Sequence, residues 1–104
     1  MVKIGEEAIV SIIASAGSAK SAAFAAMEEA EAGNMEEARE LLEQAKQELV
    51  EGHKAHTDVL MQSVREDVEV TFLMVHASNH LSNAEMSIDF AEKLLTLYEK
   101  VNNV

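Results

Sequence analysis

The chain has 104 residues, 48% of them hydrophobic but only three Phe and one Tyr, which fits a single domain spanning residues 1–104 with a core of its own. Nineteen Asp and Glu against eight Lys and Arg give a net charge of -11, which argues against nucleic acid or an anionic membrane surface as partner and favours a protein with a basic rim. No cysteine is present, which excludes disulfides, thiolate chemistry and Cys-based zinc sites.

The absence of proline, together with the weight of Ala, Glu, Leu, Lys and Met, points to an all-α fold. The N-terminal M-V-K-I-G-E-E places charge where a signal peptide would carry its apolar core, and no uninterrupted apolar run approaches about 18 residues. A soluble cytoplasmic protein without membrane insertion is expected.

Helix 1 is expected from Lys3 to about Ala32, on a spine of Ile9, Ile12, Ala16, Ala19, Ala23 and Met27. Ala14, Gly17, Ser18, Ala22, Ala25, Ala26 and Ala30 leave the middle turns small and apolar nearly all round, so neighbours are expected on more than one side. Gly33 suits the residue after a helix, and Asn34 with Glu37 has the spacing of a capping box. Helix 2 is expected from Met35 to about Ser63, its apolar spine including Ala38, Leu42, Ala45, Leu49, Gly52, His56 and Val59. The short Gly33-Asn34 connection forces these helices antiparallel.

A turn is placed at residues 64–66, with Ser63 and Glu66, or Asp67 alone, as capping signals. Helix 3 is then expected from Asp67 to about Asn102. It carries two apolar stripes, one through Val68, Phe72, Val75, Asn79, Met86, Phe90, Leu94 and Leu97, the other through Leu73, Ala77, His80, Ala84, Ile88, Ala91, Leu95 and Tyr98. Helices of this length make a thin rod that cannot cover its outer stripes alone, which argues for self-association.

Polar groups interrupt the apolar pattern at F-L-M-V-H-A-S-N-H-L-S-N-A-E-M, residues 72–86. His80 lies about 40° round the helix from His76 and Asn79 about 60° the other way, so the three share one side. A lone histidine on such a stripe is more often a hydrogen-bonded structural residue than a reactive one. His76 and His80 also have the i, i+4 spacing of a metal-binding pair, a rival reading weakened by the lack of a nearby third ligand. His53 and His56 are read as structural, the methionines as gap-filling core residues, and the acidic run from Glu36 to Glu48 as a solvated face.

Three motifs, E-A-G-N-M-E-E-A-R-E-L-L-E-Q-A at 31–45, G-H-K-A-H-T-D-V-L at 52–60 and L-M-V-H-A-S-N-H-L at 73–81, resemble the IIA component of the lactose/cellobiose (N,N'-diacetylchitobiose) class of the sugar phosphotransferase system. The resemblance spans almost the whole chain. It implies an antiparallel three-helix bundle per chain, assembling as a homotrimeric nine-helix bundle. It further implies that His76 is the phosphoacceptor, charged by the histidine-containing phosphocarrier protein and discharged to a cysteine of the cognate IIB component during uptake of a cellobiose-, chitobiose- or lactose-type disaccharide. The IIA component itself does not bind the sugar, no cofactor is implied, and His80 is expected to assist His76.

Two residues depart from the family pattern, in which Gln and Asp follow the His-Ala pair. Asn79 stands where relatives bring three aspartates together at the trimer axis and can hold a metal ion, so no axial metal is expected. Ser78 replaces the glutamine and points about 200° round the helix from His76, so it would assist only from an adjacent chain. These changes keep open an alternative, a non-catalytic helical adaptor or regulatory paralogue with a degenerate site.

Overall fold

The computed structural model describes residues 1–103 and consists of three helices, α1 (Glu6–Glu31), α2 (Met35–Arg65) and α3 (Phe72–Asn102). Among the described residues there is no strand. The molecule is a rod of 59 × 19 × 18 Å. Helices of this length joined by connections of only a few residues can lie along so narrow a rod only by reversing direction at each connection.

The first reversal uses the expected glycine. Gly33 has φ 92°, a conformation that costs glycine little, and it lets the Asn34 amide donate to the Glu29 carbonyl at 2.8 Å and its own amide to Ala30 at 3.1 Å. These bonds satisfy carbonyls left open at the end of α1. The expected capping box does not form: the Asn34 side chain accepts no cap hydrogen bond. Its amide instead donates back to the Glu29 carboxylate at 2.8 Å.

The second connection differs from the sequence expectation. α2 runs on to Arg65 and α3 begins only at Phe72, so the turn at 64–66 and a helix start at Asp67 are both corrected. The intervening residues include Val68, Val70 and Thr71, β-branched side chains that favour extended backbone. Val2 pairs with Val68 in an isolated parallel bridge, its amide donating to Asp67 at 2.7 Å and its carbonyl accepting from Glu69 at 2.8 Å. The bridge also explains why α1 begins at Glu6 rather than Lys3, since the first residues are held by the connection.

Thr71 caps α3, its hydroxyl accepting from the Met74 amide at 3.2 Å. Ser63, an expected cap, instead donates to the Leu60 carbonyl within α2 at 2.7 Å. Val68 is buried in the connection rather than extending the α3 stripe.

The core is a seam of small residues set between larger ones. Ala16, Ala19, Ala23, Ala26 and Ala30 of α1 are buried with Ala38 and Ala45 of α2 and Ala77, Ala84 and Ala91 of α3, while Ile9, Ile12, Leu42, Leu81, Ile88 and Leu95 fill the space between them. α1 packs extensively on both other helices, which meet each other least. Two sides of its small-residue surface are therefore covered within the chain. Gly52 lies at the tightest approach, where an added Cβ would stand 3.0 Å from Leu81 Cδ1 and 3.4 Å from Ser15 Cβ.

By length and composition alone α1 is apolar enough to cross a membrane, with mean hydropathy 1.4 over an 18-residue window. In this fold its Ile9, Ile12 and alanine face forms the centre of the bundle. Ion pairs cross the outer surface, Arg39 with Glu99 and Lys46 with Glu92 at 3.3 Å. Both are exposed and contribute little individually.

Candidate functional site

The second and third turns of α3, which follow the Thr71 cap and the Val2–Val68 bridge, carry His76 and His80. His76 is exposed and His80 half-buried, and their Nε2 atoms meet at 3.0 Å. Their rings stand edge-on, with centroids 4.4 Å apart and an interplanar angle of 90°. For an N···N contact of this length one nitrogen carries the proton and the other a lone pair. When His80 donates, His76 presents an unprotonated Nε2 at the protein surface, with a hydrogen-bond donor beside it.

Phe72, one turn earlier, lies nearly parallel to the His76 ring with centroids 6.4 Å apart. It is 87% exposed, so it forms an apolar plate beside the imidazole at the surface. By sequence pattern alone Phe72 belongs only to an apolar stripe. The i, i+4 spacing that brings it to His76 was the available signal.

Ser78 points away from His76, as its helical position requires. Its hydroxyl meets His56 Nε2 of α2 at 3.0 Å, a partnership absent from the sequence reading although His56 was placed on the inner side of α2. The two residues line a cavity of about 180 Å³ with Val59, Leu60, Val70 and Met74. His76 and His80 do not line it. His53 is also apart from the site, its Nε2 lying 3.5 Å from a Glu85 carboxylate oxygen.

Asn79 is exposed, at the centre of the outer α3 stripe. At 3.6 residues per turn it falls within about 40° of Phe72, Val75, Met86, Phe90 and Leu97, all of which are substantially exposed. Within the chain the side chains found against the His76 ring are the His80 imidazole and the Phe72 ring, and His76 is a member of no ion pair among the described residues.

The sequence profile of the PTS system, lactose/cellobiose specific IIA subunit matches residues 7–99. The chain belongs to this family. Among IIA relatives, the lichenan-specific phosphotransferase enzyme IIA component of Bacillus subtilis (strain 168) is 39% identical over 97 residues, covering 92% of this chain and 88% of the relative. The crystal structure of the PTS cellobiose-specific enzyme IIA from Bacillus anthracis superposes with a TM-score of 0.92 at 32% identity, covering 99% of this chain and 95% of that one. A third IIA similarity is to the solution structures of the IIA(Chitobiose)-HPr complex of the N,N'-diacetylchitobiose branch of the Escherichia coli phosphotransferase system. There the TM-score is 0.79 at 27% identity, with coverage of 93% and 95%.

Proposed function

We propose that this IIA subunit is a phosphocarrier in which His76 receives a phosphoryl group from the histidine-containing phosphocarrier protein and passes it to the cysteine of a cognate IIB component, in the cytoplasm, during disaccharide uptake. The observation that carries the proposal is the exposed His76 imidazole with His80 Nε2 at 3.0 Å, within the region matched by the family. The solved IIA(Chitobiose)-HPr complex of a relative supports the same phosphoryl donor here.

In the charging step the His76 Nε2 lone pair attacks phosphorus in line with the donor's N–P bond. The new N–P bond forms as the old one breaks, and the donor imidazole keeps the electron pair. His80, relieved of its bond to the His76 lone pair, turns its Nε2–H toward a phosphoryl oxygen. Discharge reverses this at His76: the IIB thiolate attacks phosphorus, an S–P bond forms, and the electron pair of the broken N–P bond returns to Nε2. Such transfer depends on in-line positioning and charge stabilisation more than on covalent machinery.

No Lys or Arg lies within one turn of His76, so cationic stabilisation of the phosphoryl group comes from the partner or another chain. A basic partner surface also suits a chain of net charge -11. Ser78 would assist only from an adjacent chain and only on release from His56, its partner at 3.0 Å. His80 is therefore the principal assisting residue.

The proposed assembly is a homotrimer. Two exposed features support it: the bulky α3 stripe of Phe72, Val75, Met86, Phe90 and Leu97, and a stripe on α1 in which Ala14, Gly17 and Ser21 lie between exposed Val10 and Phe24. Large side chains on one surface and small ones on another suit close helix packing between chains. Asn79 then meets its counterparts at the axis.

The test is incubation with phosphoenolpyruvate, the general phosphotransferase enzyme I and the histidine-containing phosphocarrier protein. Wild type is expected to acquire one phosphoryl group per chain and His76→Gln none. A wild-type chain that stays unlabelled would favour the adaptor reading, and label retained by His76→Gln would move the acceptor elsewhere.

A further inference from the structure

We infer that His76 and His80 form a two-nitrogen chelate for a divalent transition-metal ion of the nickel or copper type, occupying the lone pair that His76 otherwise offers to phosphorus. The imidazoles come from successive turns of one helix, and their Nε2 atoms lie 3.0 Å apart. Metal-nitrogen bonds of about 2.0–2.1 Å to a common ion at this separation subtend about 91–97° at the metal. That angle is near the right angle of square-planar and tetragonal sites, which suit Cu(II) and Ni(II), and short of the tetrahedral angle preferred by structural zinc.

The ring arrangement is compatible with this geometry. With centroids only 4.4 Å apart and planes at 90°, the rings are inclined rather than aligned end to end. Chelation requires both rings to turn so that their Nε2 lone pairs point to one ion lying off the line between them, in place of the hydrogen bond they make to each other. The only protonic change is that both imidazoles carry hydrogen on Nδ1, in place of the one Nε2–H that bridges them in the metal-free pair. His76 is exposed and His80 half-buried, so an ion can reach both.

Among the described residues no third His, Cys, Asp or Glu completes a cluster with them. The chelate within one chain is therefore limited to two donor nitrogens, which favours an exchangeable ion over a structural one. This site differs from the axial position of Asn79, because it binds one ion per chain and needs no second subunit. Phe72, stacked beside His76, covers one side of the chelate and leaves the others open.

A bound ion and a phosphoryl group both require His76 Nε2, so each excludes the other. That consequence rests on the phosphocarrier reading, whereas the chelate does not.

The experiment titrates the metal-free full chain with Ni²⁺, following stoichiometry by calorimetry and location by paramagnetic broadening of amide resonances. One ion per chain is expected, with the earliest broadening at Val75 to Leu81. Affinity should fall by at least about tenfold in His76→Gln and in His80→Gln, each losing one of two donor bonds, and remain unchanged in His53→Gln. Circular dichroism establishes that each variant retains its helices. Unchanged affinity in a folded His80→Gln chain, broadening centred on α2, or one ion per three chains would overturn the chelate.

In a parallel transfer assay with Mg²⁺ in excess for the upstream enzyme, Ni²⁺ at saturation should abolish labelling of wild type, and removal of the Ni²⁺ by dialysis should restore it. Equal labelling with the site saturated would overturn the competition. Failure of wild type to be labelled in nickel-free buffer would instead count against the phosphocarrier reading and leave the titration result standing.

Discussion

The two faces of α3 invert the usual distribution of apolar groups. Its inner face buries Ala77, Leu81, Ala84, Ile88, Ala91 and Leu95, half of them alanine, while its outer face leaves Phe72, Met86, Phe90 and Leu97 between 57% and 87% exposed. Small residues inside bring the helices of one chain close together. Large apolar residues outside have little to pack against within that chain. The difference separates two jobs on one helix: the inner seam makes the chain fold, and the outer stripe is available to join it to others.

Breaking the inner face has the largest expected effect. Leu81→Ala removes a buried side chain that lies against Gly52 and should cost about 2–5 kcal/mol, lowering the midpoint of chemical denaturation. A cost within measurement error would show that this seam does not hold the helices together.

The outer face should respond in assembly rather than in chain folding. Phe90→Glu places a charge in the exposed stripe, and sedimentation is expected to change from three chains to one while the helical signal persists. Retention of the trimer would place the interface elsewhere.

Asn79→Asp sharpens the same comparison through pH. In the proposed trimer three carboxylates at the axis would repel, which would raise their pKa values above those in separated chains. The protonated acids permit assembly, so trimer stability should be greatest at low pH and fall as pH rises through the raised values, the opposite sign to a salt-bridged aspartate. Added divalent cation should restore it at neutral pH. Trimer stability independent of both pH and metal would remove Asn79 from the axis.

The smallest effect is expected at the junction of the two faces. Thr71→Ala deletes the α3 cap and should cost about 1 kcal/mol, with faster amide exchange at Met74 and Val75. Unchanged exchange would mean that the Val2–Val68 bridge alone fixes the start of the helix.

Much of this organisation was legible in the sequence. The 3.6-residue spacing of Ile9, Ile12, Ala16, Ala19 and Ala23 identified the inner side of α1, and Gly33 marked the first reversal because few other residues accept its positive φ. The extended segment before Phe72 was less visible. The Ser63 and Asp67 cap signals competed with the β-branched Val68, Val70 and Thr71, and what decided between them was a pairing with Val2, distant in sequence.

At the site, helical spacing put His76 and His80 on one side but could not give the orientation of their rings. The His56–Ser78 pair lay beyond periodicity altogether, since it depends on the rotational setting of α2 against α3.

The central claim, that His76 is the phosphoacceptor with His80 at its reacting nitrogen, is tested most directly by nitrogen-resolved NMR of the phosphorylated chain. After charging with the general phosphotransferase proteins, a phosphorus coupling should appear on His76 Nε2, while His80 should remain unphosphorylated with its Nε2 signal shifted by the new neighbour. Phosphorus coupled to His80, His53 or His56 while His76 remained unchanged would contradict the account.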